Sequence, residues 1–216
     1  EIGAEAFAKV FKRIYAEYQF KNIDVNDFIR ICEEESGKKL AGFFDQWLKT
    51  DKYLNYAVAG VEGDTITFRN RGGIVMPVPV KVDFTDGTSK TLTWSGEKKI
   101  DQVKVNGPSA IKKVSIDPDE KFLDIDRTNN FWPRKINVQP VPVYWGLYDI
   151  PLFVPDDSYN VVFGPEAANN GLGVKVSVQK PYEHELYGGT DYEWGESLQH
   201  SRVGYQVDNL FKTQTS

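Results

Sequence analysis

The chain predicts an α+β protein in three parts: a three-helix unit over residues 1–56, an antiparallel β-sandwich over 57–131, and a proline-rich, irregular tail with β segments over 132–216. Three observations carry this reading. Apolar residues recur at helical spacing as far as Leu48, switch to a spacing of two from about residue 57, and lose regular spacing among the prolines beyond Asn130.

The first helix is read in "AEAFAKVFKRIYAEYQ", where Phe7, Val10, Phe11, Ile14, Tyr15 and Tyr18 form one apolar stripe. The second lies in "KNIDVNDFIRICEEESGKK". Asp24 is placed to cap its start, Asp27 sits in its first turn, and Gly37 stands where a left-handed cap ends a helix. Its expected buried face is Val25, Phe28, Ile29 and Cys32. The acidic run Glu33–Glu35 opposes the helix dipole, with Lys38 and Lys39 as the expected compensation. A third stripe runs through Leu40, Phe43, Phe44, Trp47 and Leu48. Burying one large aromatic is worth roughly 1.5–3 kcal/mol, so three such faces are expected to dock on further helices upstream. Met76 is the single methionine and Glu1 opens inside a helical pattern, so the chain reads as a piece whose natural start lies earlier.

From residue 57 the strands are "ITFRN", "VPVKVDFTDGTSKTLTW", "KKIDQVKV" and "IKKVSID". Val78, Val80, Val82 and Phe84 face one way, and Pro79, Lys81 and Asp83 the other. Asp86-Gly87 is expected to supply the positive φ angles of a tight hairpin, and Pro77 and Pro79 suggest an edge strand. Short alternating strands of this kind suggest a sandwich that closes at "DPDEKFLDIDRTNN". In the tail, "NVQPVPVYWGLYDIPLFVPDDSYN" reads as an extended connector. "GLGVKVSVQ" and "SRVGYQVDNLF" alternate as strands.

Composition narrows the chemistry. The net charge is −5, and residues 132–216 alone carry 10 acidic against 6 basic side chains, so no basic stripe offers itself to nucleic acid. One cysteine, Cys32, excludes an internal disulfide and a multi-cysteine metal knuckle. No apolar run approaches the ~20 residues of a spanning helix, and no signal-peptide pattern is present.

Each reactive residue has a bland reading beside the functional one. His184 begins "HELYG", but Gly188 stands where HExxH needs its second histidine, and Pro181, Gly188 and Gly189 speak against a helix. It is expected to be an ordinary loop histidine, and neither it nor His200 has the local setting of a catalytic triad. Cys32 on a buried helix face is a small hydrophobe. Asp117, Asp119, Glu120, Asp124 and Asp126 alternate as calcium ligands do, yet lack the EF-hand glycine and distal glutamate, and solvated turn residues are the alternative. No GxSxG elbow, phosphate-cradling loop or singled-out carboxylate pair appears. The chain is therefore expected to hold no catalytic, cofactor-binding or metal-binding residue.

The order of motifs carries a resemblance. "DVNDFIRICEEESGKKLAGFFDQWLKT" resembles the closing helices of the catalytic domain in the aminopeptidase N family of zinc metallopeptidases, through Phe28, Ser36-Gly37, Leu40, Phe43-Phe44 and Gln46-Trp47. "PVPVKVDFTDG", "TWSG", "VSIDPD" and "DIDRTNN" resemble the β-sandwich domain that follows it there. The resemblance spans residues 4–131. It implies a non-catalytic scaffold, partnered by a catalytic domain upstream in the same polypeptide, with zinc in the parent and none in this segment. It also implies an exported or cell-envelope location. After Asn130 the chain departs from the family's helical repeats, and the tail resembles a passage toward the membrane barrel carried by some bacterial relatives. Two alternating strands do not close a barrel, which takes at least eight. The competing reading is an independent β-sandwich module binding peptide or carbohydrate through exposed aromatics such as Trp132, Trp145 and Trp194.

Overall fold

The computed structural model of the chain describes residues 2–142, 144–145, 154–168, 171–181, 183–196 and 198–207. Its architecture is α+β, with three helices followed by three mainly antiparallel sheets.

The helices are α1 (Ala4–Tyr18), α2 (Val25–Ser36) and α3 (Ala41–Leu48). The start of α2 is set by Asp24, whose carboxylate accepts from the amides of Asn26 and Asp27 at 2.7 and 2.9 Å. It ends at Gly37, which takes φ 65° while its amide returns to the Glu33 carbonyl at 2.9 Å. The acidic run has partners on all three helices. Glu33 accepts from the amides of Leu40 and Ala41 at 2.7 and 3.1 Å, so α2 caps α3. Glu34 and Glu35 pair with Arg13 of α1 at 2.7 and 3.1 Å, and Glu34 also pairs with Arg30.

Val10, Ile31, Cys32 and Leu40 form the buried centre of this unit, with Phe28 and Phe44 against it. The expected face of α2 is corrected in phase. Ile31 is fully buried, whereas Val25 in the first turn lies outside the contact and is 52% exposed. On α1 only Val10 is fully buried; Phe7, Phe11 and Tyr15 stay more than half exposed.

Seven strands follow: β1 (Tyr56–Glu62), β2 (Thr65–Asn70), β3 (Val78–Phe84), β4 (Ser89–Trp94), β5 (Ile100–Lys104), β6 (Ile111–Ile116) and β7 (Phe131–Trp132). They make two sheets, ordered β1-β2-β5 and β4-β3-β6-β7. One apolar core fills the space between them, from Tyr56, Val58, Ile66 and Phe68 on one side to Val78, Val80, Val82, Val114 and Ile116 on the other. Trp94 lies with its ring centroid 4.7 Å from Tyr56 and 4.9 Å from Phe68, so three aromatics close one end of it.

Two expectations for this region change. The strand β3 is interior, not an edge, and it contains Pro79. The Pro79 carbonyl still accepts from the Asp117 amide at 2.8 Å, just past the Val80↔Ile116 pair, so the missing N–H falls at the end rung of the β3–β6 ladder. In the β3–β4 hairpin only Gly87 takes positive φ (88°), and the Phe84 carbonyl accepts from the Gly87 amide at 3.2 Å. A longer loop with a glycine bulge thus replaces the two-residue turn that Asp86-Gly87 suggests.

The third sheet holds β8 (Ile136–Pro140), β9 (Tyr144–Trp145), β10 (Tyr159–Ala168), β11 (Gly171–Lys180), β12 (His184–Glu193) and β13 (Leu198–Val207). The order is β13-β12-β11-β10-β8, with β9 also on β10. Part of the expected connector is therefore strand: β8 runs parallel to β10 from Ile136↔Tyr159 to Pro140↔Phe163. Residues 143 and 146–153 of it lie outside the described residues. The loop reading of His184 is corrected likewise, since it opens a ten-residue strand.

Phe68 is fully buried against Trp94. Phe68→Ala is expected to lower the unfolding free energy by about 3–5 kcal/mol. Phe20→Ser, at a side chain that is 98% exposed, is expected to stay within about 0.5 kcal/mol. Urea unfolding of the two variants measures the contrast.

Candidate functional surfaces

Two regions bring chemistry together: a buried polar junction between the two-sheet unit and the third sheet, and the two dissimilar faces of the third sheet.

The junction is built where the two-sheet unit ends, at the short 3₁₀ turn Arg127–Asn129. Asp126 accepts from the Thr128 hydroxyl at 2.5 Å, the Asn129 amide at 2.7 Å and the Lys180 ammonium at 2.9 Å. Lys180 ends β11, so this contact joins residues 54 positions apart, and Glu183 holds the same ammonium at 2.7 Å. Asn129 also donates to Asn55 at 2.9 Å. Arg134 donates to the carbonyls of Asn129, Phe131 and Val58 at 2.5, 2.9 and 3.0 Å, tying β1 to the segment that leaves the unit. Lys135 pairs with Asp157, just ahead of β10.

Adjacent carboxylates here move in opposite directions. Burial pushes Asp124 up to about 6, despite the Tyr56 and Asp126 amides that donate to it at 2.9 and 3.0 Å. Burial works against the charge of Asp126 too, but the Thr128 hydroxyl and the Lys180 ammonium outweigh it and hold Asp126 below the usual carboxylate range.

The other acidic residues named as calcium candidates are spoken for differently. Asp117 is buried and accepts from the amides of Lys121 and Phe122 at 3.0 and 2.9 Å, with the Arg127 guanidinium 3.5 Å away. Asp119 sits at the surface beside Lys121, and Glu120 pairs with Arg127 at 2.8 Å. The five carboxylates therefore form no common shell, and Asp117 and Asp126 are buried structural acceptors, not solvated turn residues. Among the described residues no group of three or more His, Cys, Asp or Glu is placed to hold a metal ion.

His184 and His200 fall on opposite faces of the third sheet. His184 stacks on Tyr205, its Nδ1 2.9 Å from the Tyr205 hydroxyl. His200 lies 3.6 Å from Asp191 and 3.9 Å from Glu193. Cys32 is buried in the helical centre, and burial pushes its thiol up, which suits a packing role. The tryptophans are dispersed: Trp94 is in the core, Trp132 packs against that core, and Trp194 lies 63% exposed beyond the end of β12. The side chain of Trp145 is outside the described residues.

Strands β10 to β13 are each ten residues long and pair antiparallel in continuous register. Alternation places Phe163, the run Leu172, Val174, Val176 and Val178, and then Leu186, Tyr192, Val203, Tyr205 and Val207 on one face. The charged residues Glu166, Lys175, Glu185, Asp191, Glu193 and Arg202 all fall on the other. Exposure is the reverse of the ordinary pattern. The β11 apolar side chains are 43–54% exposed, whereas Glu166, Asp191 and Glu193 are only 12–25% exposed.

Glycines make the polar face possible. A Cβ on Gly173 would meet Asp191 at 2.6 Å, and one on Gly204 would meet the Tyr187 ring at 2.2 Å. Polar side chains thus lie flat over bare backbone. Arg202 of β13 pairs with Asp191 of β12 at 3.3 Å and reaches Glu166 on β10. That second partner is three strand intervals away, roughly 14 Å in a flat sheet, so the two side chains lie extended across β12 and β11.

Sequence reasoning did not find β10 or β12, and with them it missed the two-faced sheet. Pro165 in β10 and Gly188-Gly189 in β12 hid the alternation, although Leu186, Thr190 and Tyr192 keep its phase. Comparison with known proteins finds no matching family model, no matching curated protein and no matching solved structure.

Lys180→Ala removes one partner of a pair whose side chains are 15% and 7% exposed. It is expected to cost about 2–4 kcal/mol in urea unfolding, because a buried carboxylate is left short of its cation. The pH dependence follows from the two carboxylates. The folded value of Asp124, about 6, lies above its ordinary value of 3.8, so folding is disfavoured as pH rises from about 4 through 6. Asp126, held low, contributes stability above the ordinary range and loses it as pH falls below about 4. Unfolding midpoints from pH 3 to 8 are expected to peak near pH 4 and to fall from there to about pH 6.

Proposed function

We propose that this chain is a non-catalytic scaffold, a segment of an aminopeptidase N-like zinc metallopeptidase that joins a peptidase domain upstream to the β structure of its tail. The observation that carries the scaffold role is the double allegiance of α3. Its Phe44 packs with Phe28 in the helical centre behind Leu40, while Phe43 and Trp47 pack against the two-sheet core. Gln46 adds a two-way clasp, accepting from the Val75 amide at 2.7 Å and donating to the Val75 carbonyl at 3.3 Å. Each residue of the "L..FF.QW" pattern therefore has a physical task in binding a helical unit to a β-sandwich. Asp126 and Lys180 continue the chain of contacts to the third sheet.

The half-exposed Phe7, Phe11 and Tyr15 on α1 support an origin in a larger helical domain, which would supply the missing cover. The peptidase parentage rests on the motif order of residues 4–131.

Reading the native gene upstream tests the parentage. An HExxH helix, with a glutamate ligand on a later helix, is the expected result; an initiator codon near Glu1 with no such motif overturns it. The scaffold role is tested separately by Gln46→Ala with Trp47→Ala. The double variant is expected to split one thermal transition into two, and to open the 49–55 linker to limited proteolysis. Retention of a single transition overturns the coupling.

A further inference from the structure

We propose that the apolar face of the four-stranded sheet β10–β13 is a lipid-contacting surface, shaped for the hydrocarbon of a bilayer. The inference stands apart from the scaffold reading and rests on the sheet alone. Four features agree on one occupant.

The first is strand length. All four strands have ten residues, and a strand tilted at about 45° needs roughly 9–11 residues to cross a bilayer's hydrocarbon. The second is segregation of charge along the apolar band, with Lys180 at the end of β11 lying outside it. Between Val161 and Val178, and between Leu186 and Val207, every Asp, Glu, Lys and Arg of the described strands belongs to the opposite face. A protein-facing layer tolerates paired charges at its rim; hydrocarbon does not.

The third feature is the inverted burial. Carboxylates of Glu166 and Asp191 are drawn in and bridged by Arg202 over glycine backbone, while Val174 and Val176 point outward half exposed. In a sheet that folds over its own core the apolar side is the covered one. The fourth is the placing of aromatics at the ends of the apolar band. Tyr192 and Trp194 lie at one end, and Tyr205, hydrogen-bonded to His184, at the other. Rings with one polar end suit the boundary between headgroups and acyl chains. At the His184 end, Lys180 turns to Asp126, so the two-sheet unit marks the water side of that boundary.

No described helix is long and apolar enough to cross a membrane; the strands carry the contact. Four strands are a sector of wall, and closure takes at least eight, so the β13 edge is where further strands would add.

The test uses the whole chain with Cys32→Ser, carrying one nitroxide in turn at Val174, Val176 and Leu186, or at Lys175 and Glu185. Each is diluted from detergent into phosphatidylcholine vesicles, floated on a density gradient, and read for collision with oxygen and with a water-soluble nickel chelate. The expected result is flotation with an alternating signal, oxygen dominant at 174, 176 and 186, and the chelate dominant at 175 and 185. Val176→Arg is expected to cut the floated fraction roughly 30-fold or more, while Glu185→Arg on the opposite face leaves it unchanged. Thermal unfolding of the two-sheet unit should be the same in both variants, which separates lost membrane contact from lost fold. A chain that stays with the aqueous fraction overturns the proposal. So does a soluble dimer in which labels at 174 couple to each other, since a second copy would then be the occupant.

Discussion

Asp126 is the group on which the arrangement of this chain turns. Its carboxylate gathers a hydroxyl and an amide from the turn that follows it and an ammonium from the distant end of β11, in a place that is nearly closed to water. An unpaired charge there would be costly, and an isolated lysine in the same place equally so. Each therefore requires the other, and the requirement locks the end of β11 against the turn that closes the two-sheet unit. Around this pair, Arg134 satisfies three backbone carbonyls that would otherwise be stranded where the chain crosses from one sheet to the next.

Asp124 shows the cost of the same burial without a cation. Two backbone amides donate to it, yet its proton is held to about pH 6. Two aspartates two residues apart thus do different work: one is an ion-pair partner, the other a backbone acceptor that resists ionisation. The motif "DIDRTNN" is then a structural knot. Its spacing of carboxylates arises because Asp124 and Asp126 turn inward, toward Tyr56 and Lys180.

Much of the local structure was legible in the residues themselves. Asp24 and Gly37 bound the second helix because a capping carboxylate and a left-handed glycine act within a few residues. The alternation of Val78, Val80, Val82 and Phe84 marked a half-buried strand because each of those side chains is buried in turn. Less legible was anything requiring a partner distant in sequence. Nothing local reveals that Glu33 caps another helix, that Ile31 is buried in place of Val25, or that Pro79 can sit in an interior strand. The candidate surfaces divide the same way. The histidines and the cysteine could be weighed one by one, but the junction joins Asp126 to Lys180, and the two-faced sheet needs four strands side by side, two of them hidden by proline and glycine.

By itself the sequence determined the succession of helices and strands, the aromatic weight of the third helix, and a tail with an alternating pattern. These follow from backbone propensity and from side-chain periodicity, which act over a turn or a strand. The tertiary structure alone decided where the charges go. Registering β10 to β13 placed six charged residues on one face and left the other wholly uncharged between its ends. It also laid those charges over glycines, and bridged β10 to β13 through Arg202. The physical reason is that a strand's face has no meaning until its neighbours are paired. Only then does a pattern of alternate residues become a surface, with one side for water and ions and the other for an apolar medium.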